Sequence, residues 1–336
     1  MDGVLKSNLE MAAVVIGRNE GAQLKNSLRS VQAADLPIVY VDSGSSDGSP
    51  ALAQDLGVEV HVLDPGKPFS AARARNEGLG HVIEYWPGSK YVLFLDGDCV
   101  LDQHFPAAAV AKFDEDADAA AVTGHLSERS PEASIYNRLC AIEWRSPAGR
   151  IENFAALGGI MAVRVSAIRQ VGGFNEKVIA GEDSELGVRL ALAGYSVFKL
   201  DQRMATHDAR IERFSQWWTR AVRGGHALAQ RYMLNGRSKL HDCRRELYST
   251  LFWALGVPLL AAILFWPTRG LSILLLGGYG LLGFRVYHHY QRIGLSAADA
   301  RLAARFMIYT KFANLLGVLR FWVNRLRGQF RIIEYK

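Results

Sequence analysis

The chain has 336 residues, of which 49% are apolar and 21% charged, enough for one large domain or two smaller ones around a sizeable core. Its net charge of +6 is unevenly spread: residues 1–206 carry 19 basic and 27 acidic side chains, 207–247 carry 9 and 4, and 285–336 carry 10 and 2. A basic C-terminal part behind an acidic body implies an anionic partner, either membrane lipid or nucleic acid. Cys99, Cys140 and Cys243 are scattered and form no Cys-x-x-Cys, which argues against a disulfide framework or a zinc site and fits a reducing compartment.

Taken in order, the apolar run Met11–Ile16 reads as a first strand, too short and too close to Glu10 for a signal peptide. The body is therefore expected in the cytosol. Gly17-Arg18-Asn19-Glu20 is a turn, and Asn19 or Glu20 is expected to start the helix that runs through Leu24, Leu28 and Val31. Pro37–Asp42 is a second strand, ending in a loop of small polar residues, Ser43 to Gly48. A helix over about 49–56 and a third strand over 58–63 complete an alternation that predicts a parallel sheet. Asp42 sits where an acid can accept from a ribose hydroxyl or a base N–H; equally, Asp42 or Asp47 can cap the next helix. No Gly-x-Gly-x-x-Gly follows the first strand, which counts against a nicotinamide-binding domain.

Residues 66–78 read as a loop entering a helix. Lys67, Arg73 and Arg75 there either meet a phosphate or form a solvated basic face. The run Tyr91–Leu95 then leads into Asp96-Gly97-Asp98. A short apolar run bounded by turn residues predicts a buried strand, and its carboxyl end is where open α/β sheets hold ligands. Two acids separated by glycine repel each other unless a cation is near. Mg²⁺ or Mn²⁺ shared with a substrate diphosphate fits that need, and an acidic turn is the plainer reading.

Downstream, residues 107–121 form an Ala-rich acidic segment, 122–126 a strand, and 134–150 an amphipathic segment holding Trp144. Residues 154–163 read as a strand with close backbone approach at Gly158 and Gly159. Glu182 and Asp183 open a helix running to Leu192. Acids in a first turn favour the helix dipole, or serve as a rigidly held general base. Residues 195–200 are a further strand, with His207 just beyond it, structural or metal-ligating. Residues 207–247 mix basic and aromatic side chains, suited to nucleic acid or to a membrane interface.

Residues 249–266 and 271–284 are apolar and joined by Pro267-Thr-Arg-Gly270. A span needs about 20 apolar residues, so the first is adequate and the second marginal. They read as a membrane hairpin over about 249–286 or as a buried hairpin. Arg244 and Arg245 before it and Arg285 and Arg292 after it predict both ends on the cytosolic side. Ile308, Phe312, Leu315, Leu319, Trp322, Leu326 and Phe330 recur at helical spacing beside Lys311, Arg320 and Arg327, a basic amphipathic helix over about 304–330.

Six motifs occur in order: Arg18-Asn19-Glu20, Val41-Asp42-Ser-Gly-Ser-Ser-Asp47-Gly, Ala-Arg75-Asn76-Glu-Gly78, Phe-Leu-Asp96-Gly-Asp98, Gly-Gly-Phe174 and Gly181-Glu182-Asp183. Together they resemble the family 2 glycosyltransferases of GT-A fold, over about residues 11–210. The resemblance implies an α/β GT-A catalytic domain over 1–232, followed by a C-terminal helical membrane region over 233–336. It also implies a nucleotide-diphosphate sugar donor, with a UDP-sugar favoured, and Mn²⁺ or Mg²⁺ as cofactor. Asn19, Glu20, Asp42, Lys67, Arg75, Asn76, Asp96 and Glu182 would bind substrate, Asp98 and His207 the metal, and Asp183 would be the catalytic base of an inverting transfer. Arg220 and Arg223 would add charge at the diphosphate.

Processive relatives carry Gln-x-x-Arg-Trp; here Gln216-Trp-Trp-Thr-Arg220 places the arginine one position late with no tryptophan after it. Polyprenyl-phosphate sugar transferases usually show Asp-Ala-Asp-Leu-Gln, whereas this chain has Asp96-Gly-Asp-Cys-Val100. The expected activity is transfer of a single sugar to a glycan or lipid-linked acceptor at the cytosolic face of the inner or plasma membrane. Membrane lipids are expected as partners and nucleic acid is not. A sugar nucleotidyltransferase and a non-catalytic nucleotide-sugar binding subunit are the competing expectations.

Overall fold

The first apolar run becomes strand β1 (Met11–Gly17), pairing in parallel with β2 (Ile38–Asp42) on one side and β4 (Tyr91–Asp96) on the other. Strand β3 (Glu59–Val62) adds a partly exposed parallel edge to β2. In the computed structural model, residues 10–154 and 157–328 are described. They divide into one unit built from 1–129 and 144–209 and a second built from 130–143 and 210–336.

In the first unit the sheet continues past β4 with antiparallel β8 (Met161–Arg164), then β6 (Ala119–Glu128) antiparallel to β8, and β9 (Ser196–His207) parallel to β6. Short strands β5 (Cys99–Leu101) and β7 (Gly149–Arg150) pair antiparallel with β9. The order is β3-β2-β1-β4-β8-β6-β9-β5. Side chains alternate across the pleat. Ala12, Val14, Val39, Val41, Val92 and Phe94 enter one core. Met11, Ala13, Val15, Tyr40, Leu93 and Leu95 enter the core on the opposite face. The central strands are therefore apolar throughout, as in a sheet covered on both sides. Register sets Gly17 beside Asp42 and Ile16 beside Asp96, so both carboxylates end on one edge.

Helices α1 (Ala22–Gln32), α2 (Ser49–Asp55), α3 (Ala71–Tyr85), α4 (Phe105–Glu115), α6 (Val165–Gln170) and α7 (Glu182–Leu192) belong to this unit. Several elements differ from expectation. Helix α1 starts at Ala22 because Asn19 and Gly21 take positive φ and keep the turn open. Among the described residues of the expected 154–163 strand, only those from Met161 onward pair into the sheet, as β8. The amphipathic segment after Ser134 is helical only as α5 (Ile135–Glu143), in the second unit. Strand β9 runs through to His207 instead of stopping near Leu200, which makes His207 a strand residue.

The second unit is helical: α5, α8 (Phe214–Asn235), α9 (Arg244–Leu251), α10 (Val257–Ile263), α11 (Gly278–Arg292) and α12 (Ala297–Leu326). Among the described residues, three stretches, Arg244–Ile263, Leu271–Arg292 and Ala297–Leu326, are long and apolar enough to cross a membrane. The first takes a wide π turn over Phe252–Gly256, just before Pro258, whose ring lacks an N–H and would clash with a regular preceding turn. The second opens as a 3₁₀ segment over Leu271–Gly277. The expected basic amphipathic helix is α12, which begins seven residues earlier, at Ala297; residues after Gly328 lie outside the described ones.

Helices α8 and α12 touch through backbone. A Cβ on Gly225 would lie 2.2 Å from the Asn314 carbonyl oxygen, and one on Gly317 would lie 2.1 Å from that of Val222. His226 packs edge-on to Phe321 at this crossing, and burial lowers its pKa to about 4. Two outcomes follow. Gly317→Ala should lower the thermal midpoint of the detergent-purified chain by several degrees, since overpacking typically costs about 1–3 kcal/mol. Gly283→Ala, whose Cβ would meet only Ile308 Cδ1 at 3.5 Å, should not. Because His226 titrates below its ordinary 6.5 in the folded chain, the folded form binds fewer protons than the unfolded one between pH 6.5 and 4. Its contribution is intact above that window and lost as pH falls through it. Thermal midpoints at pH 7.5 and 5 should therefore separate less in His226→Leu than in the wild type.

Candidate active site

The loops that follow the parallel strands meet at one edge of the first unit, and hydrogen bonds tie them together. Asn19 Oδ1 accepts from Ser46 N at 2.8 Å, and Asn19 N donates to Ser45 Oγ at 2.9 Å. Asp47 accepts from Gly21 N and from the N–H and hydroxyl of Ser49; the Ser49 hydroxyl is the main reason its pKa is lowered. Asp42 is buried, and its carboxylate accepts from Tyr40 OH, Gly44 N, Ser45 N and Ser45 Oγ. It is thus the keystone of the Ser43–Gly48 loop. Glu20 lies across Gly17 and Gly97, within 3.1 Å of where a Cβ on either would be.

The basic segment divides its work. Arg73 is buried and donates to Glu77 and to the carbonyls of Asp64 and Lys67, fixing the loop before α3. The Lys67 side chain stays exposed on that loop. Asn76 is a clip: it donates to the Phe174 carbonyl and to Glu176 and accepts from Phe174 N. Arg75 points into the protein, 2% exposed, pairing with Asp96 at 2.8 Å and with Glu182 at 2.6 Å. Burial opposes its charge, but Asp96, Glu182 and Asp183 outweigh burial and raise its pKa. Gly159 is required beside it, because a Cβ there would sit 2.1 Å from an Arg75 guanidinium nitrogen. Glu182 and Asp183 open α7, and Asp183, part-exposed, accepts from Ser184 N at 2.6 Å.

Asp98 lies one turn beyond Asp96 and is 8% exposed. His207 Nε2 is 3.3 Å from Asp98 Oδ2, and the Cys99 thiol donates to Asp98 Oδ1 at 3.3 Å. One ligand atom from each of Asp98, Cys99 and His207 lies within 4.8 Å of the others. A carboxylate suits Mg²⁺ or Mn²⁺, whereas imidazole and sulfur lean to softer divalent ions. Behind them, buried Glu128 approaches His207 Nδ1 at 3.9 Å and accepts from Ala209 N. The Trp144 ring stands edge-on to the imidazole, 5.0 Å between centroids. Lys199 anchors the Trp144 loop through Ser146 Oγ at 2.7 Å, and burial lowers its pKa.

Sequence reasoning missed Glu128, Trp144, Lys199 and Cys99 as parts of this cluster. Only Glu128 left a signal, as an acid at the end of the expected 122–126 strand. Asp98 also forms one wall of a cleft of about 540 Å³ that includes Gln23, Arg29, Arg129 and Asp208. Arg220 and Arg223 lie in the second unit, where Arg220 pairs with Glu143 at 2.7 Å.

Residues 13–171 match the family model described as glycosyl transferase family 2, and residues 140–215 match that of the N-terminal domain of galactosyltransferase. The mannosyltransferase PcManGT from Pyrobaculum calidifontis, solved with GDP-Man and Mn²⁺, aligns with a TM-score of 0.61. That alignment covers 94% of this chain and 88% of that one at 17% identity, and it shows a shared fold. The mixed sheet with its acid-bearing edge is thus a GT-A glycosyltransferase fold. Residues 13–171 carry a glycosyltransferase family 2 domain. Poly-beta-1,6-N-acetyl-D-glucosamine synthase of Staphylococcus epidermidis is 27% identical over 229 residues, covering 63% of this chain and 54% of that one. The succinoglycan biosynthesis protein ExoA of Rhizobium meliloti is 24% identical over 217 residues, covering 60% and 63%. The chain thus spans less than two thirds of the length of these relatives.

Arg75→Met removes the cation between Asp96 and Glu182 and leaves buried Glu182 uncompensated. The expected loss is about 3–5 kcal/mol of stability, the range for breaking a buried pair. Chemical denaturation should show it, with Lys67→Met unchanged within about 0.5 kcal/mol as the exposed control.

Proposed function

We propose that the chain transfers a single sugar from a nucleotide-diphosphate sugar, a UDP-sugar first among candidates, to a hydroxyl of a glycan or lipid-linked acceptor. The setting is cell-surface polysaccharide or glycolipid synthesis at the cytosolic face of a membrane. The carrying observation is the Asp98–His207 approach of 3.3 Å at the sheet edge where Asp96 also ends. Polysaccharide synthesis is supported by the two curated relatives, and membrane association by the three apolar helices and the arginines that flank them.

In this reading residues 1–232 are catalytic and 233–336 attach the chain to the membrane. The loops bearing Asn19 and Glu20, held in shape by Asp42, cradle the nucleoside. Lys67 offers a cation to the diphosphate from its exposed loop. Asn76 acts by fixing the loop ahead of α7. Arg75 holds Asp96 at the ribose side and Glu182 at the acceptor side. Asp98 and His207, with Cys99 beside them, would hold Mn²⁺ or Mg²⁺, which when bound offsets charge on the leaving diphosphate. Asp183 takes the proton from the acceptor hydroxyl. The freed oxygen then attacks the anomeric carbon from the face opposite the nucleoside diphosphate, which departs, and configuration inverts. Asp183 follows a residue locked by Arg75, the rigid support that a general base needs.

The test is a panel of UDP-, GDP-, CMP- and dTDP-sugars on the detergent-purified full chain, with and without Mn²⁺, read by thermal stabilisation and donor turnover. One donor should stabilise the protein only with metal. Asp98→Asn should abolish that stabilisation. Asp183→Asn should keep it and lose about 10²–10⁴-fold in turnover, the usual weight of a general base. Donor stabilisation indifferent to metal, or full turnover in Asp183→Asn, would sink the assigned roles. Pyrophosphate exchange would mark a nucleotidyltransferase instead.

A further inference from the structure

The second unit holds a basic recess that the proposed transfer does not use. It encloses about 290 Å³ and is lined by Arg138 of α5 and by Ala298, Asp299, Arg301, Leu302 and Arg305 at the start of α12. Arg138 is already spent: both Glu132 oxygens accept from it at 2.7 Å, and Asp299 accepts from its other guanidinium nitrogens. That clamp makes one rigid wall whose two carboxylates, Glu132 and Asp299, outweigh its single cation, so any anion must be held by the two arginines beyond it. Arg301 and Arg305 differ. They lie one helical turn apart, both exposed, and among the described residues neither has an acidic partner. Two guanidiniums on one wall present several N–H donors in the fork geometry that matches phosphate oxygens.

What continues from the recess narrows the ligand. Tyr309, Phe312, Leu316, Leu319 and Val323 follow Arg305 at spacings of four and three, so they occupy the same face of α12, and all are exposed. A charged head at the top of an exposed apolar stripe is complementary to a molecule with an anionic head and hydrocarbon chains. A free phosphate would leave the stripe unused. Helix α12 is also one of the three stretches long and apolar enough to cross a membrane.

We propose that this recess seats the phosphate of an anionic membrane phospholipid, held by Arg301 and Arg305, with its acyl chains along the α12 stripe. The proposal rests on the reading that the helices of the second unit are membrane-associated.

Short-chain phosphatidylglycerol and phosphatidylcholine with identical chains, below their micelle concentrations, would be titrated into the detergent-purified full chain, with glycerol phosphate as the chainless arm. Half-saturation is read from the thermal shift. Phosphatidylglycerol should bind more tightly than phosphatidylcholine, and glycerol phosphate should bind far more weakly than either. R301Q/R305Q should weaken phosphatidylglycerol by about tenfold or more, as loss of one or two charge-assisted hydrogen bonds would. R301K/R305K, which keeps charge and loses the fork, should fall between. R320Q/R325Q removes the same charge farther along α12 and should change binding less than about twofold. Equal binding of the two lipids, or equal loss in both glutamine variants, overturns the recess and leaves the membrane reading standing. Failure of both lipids to bind overturns the recess and the membrane reading together. Glycerol phosphate binding as tightly as the lipid overturns the lipid as its occupant.

Discussion

The candidate active-site edge of the first unit depends on one buried guanidinium. Removing Arg75 from water is costly and is offset only if each face of its fork meets a carboxylate. Asp96 and Glu182 meet it, from strand β4 and helix α7, 21 and 107 residues away in sequence. The Phe174 ring lies 5.6 Å from its carbon, within cation–π range. These partners fix the end of the central strand against the start of the helix that carries Asp183. A displacement of α7 would separate two charges in a low-dielectric setting, so the orientation of the candidate base follows from a structural ion pair. Gly159 is the other half of the constraint, since any side chain there would occupy the space of the guanidinium.

The same pair explains how two acids separated by one glycine coexist. Asp96 is compensated from within by Arg75. Asp98 faces the other way, toward His207 and the Cys99 thiol. The Gly97 N–H donates to the Ile16 carbonyl at 2.8 Å, which anchors the turn to β1 while the flanking carboxylates diverge. Their repulsion is thus relieved by divergence, with Arg75 compensating Asp96 from within and His207 approaching Asp98 from the other side.

Local patterns were the legible part of this chain. The runs that became β1, β2 and β4 are continuous and apolar because both sheet faces are covered, and turn residues close each of them. Asp96-Gly-Asp98 and Glu182-Asp183 stood out because each sets two carboxylates close together at the end of an apolar strand or the start of a helix. The pairings between distant segments were not legible. Nothing near Arg75 indicates that it turns inward while Arg73, two residues earlier, clamps a loop. Asn76 reads as a polar residue on a helix, and its role as a clip depends on where residues 173–176 return. His207 read as lying past a strand because the polar stretch 201–203 masks the second half of β9, which pairs along both β6 and β5. Trp144 reaches His207 only through a short loop whose path is set by Lys199, a contact no periodicity encodes.

The second unit keeps charged pairs inside while exposing large apolar side chains. Arg231 and Asp242 form a buried ion pair at 2.6 Å, and His226 is buried at the glycine crossing of α8 and α12. Outward, Ile263, Trp266, Leu274 and Leu281 are each at least two-thirds exposed. In water, such a set would form contiguous apolar surface well beyond what soluble monomers display. Charged groups held inside and large apolar side chains outside are reconciled if the surrounding solvent is hydrocarbon. Helix association there gains nothing from hydrophobic burial and relies on close packing at small residues and on internal polar contacts. Gly317 of α12 supplies the first, so the exposed apolar side chains and the close glycine packing of α12 agree with the membrane association that its length and composition allow.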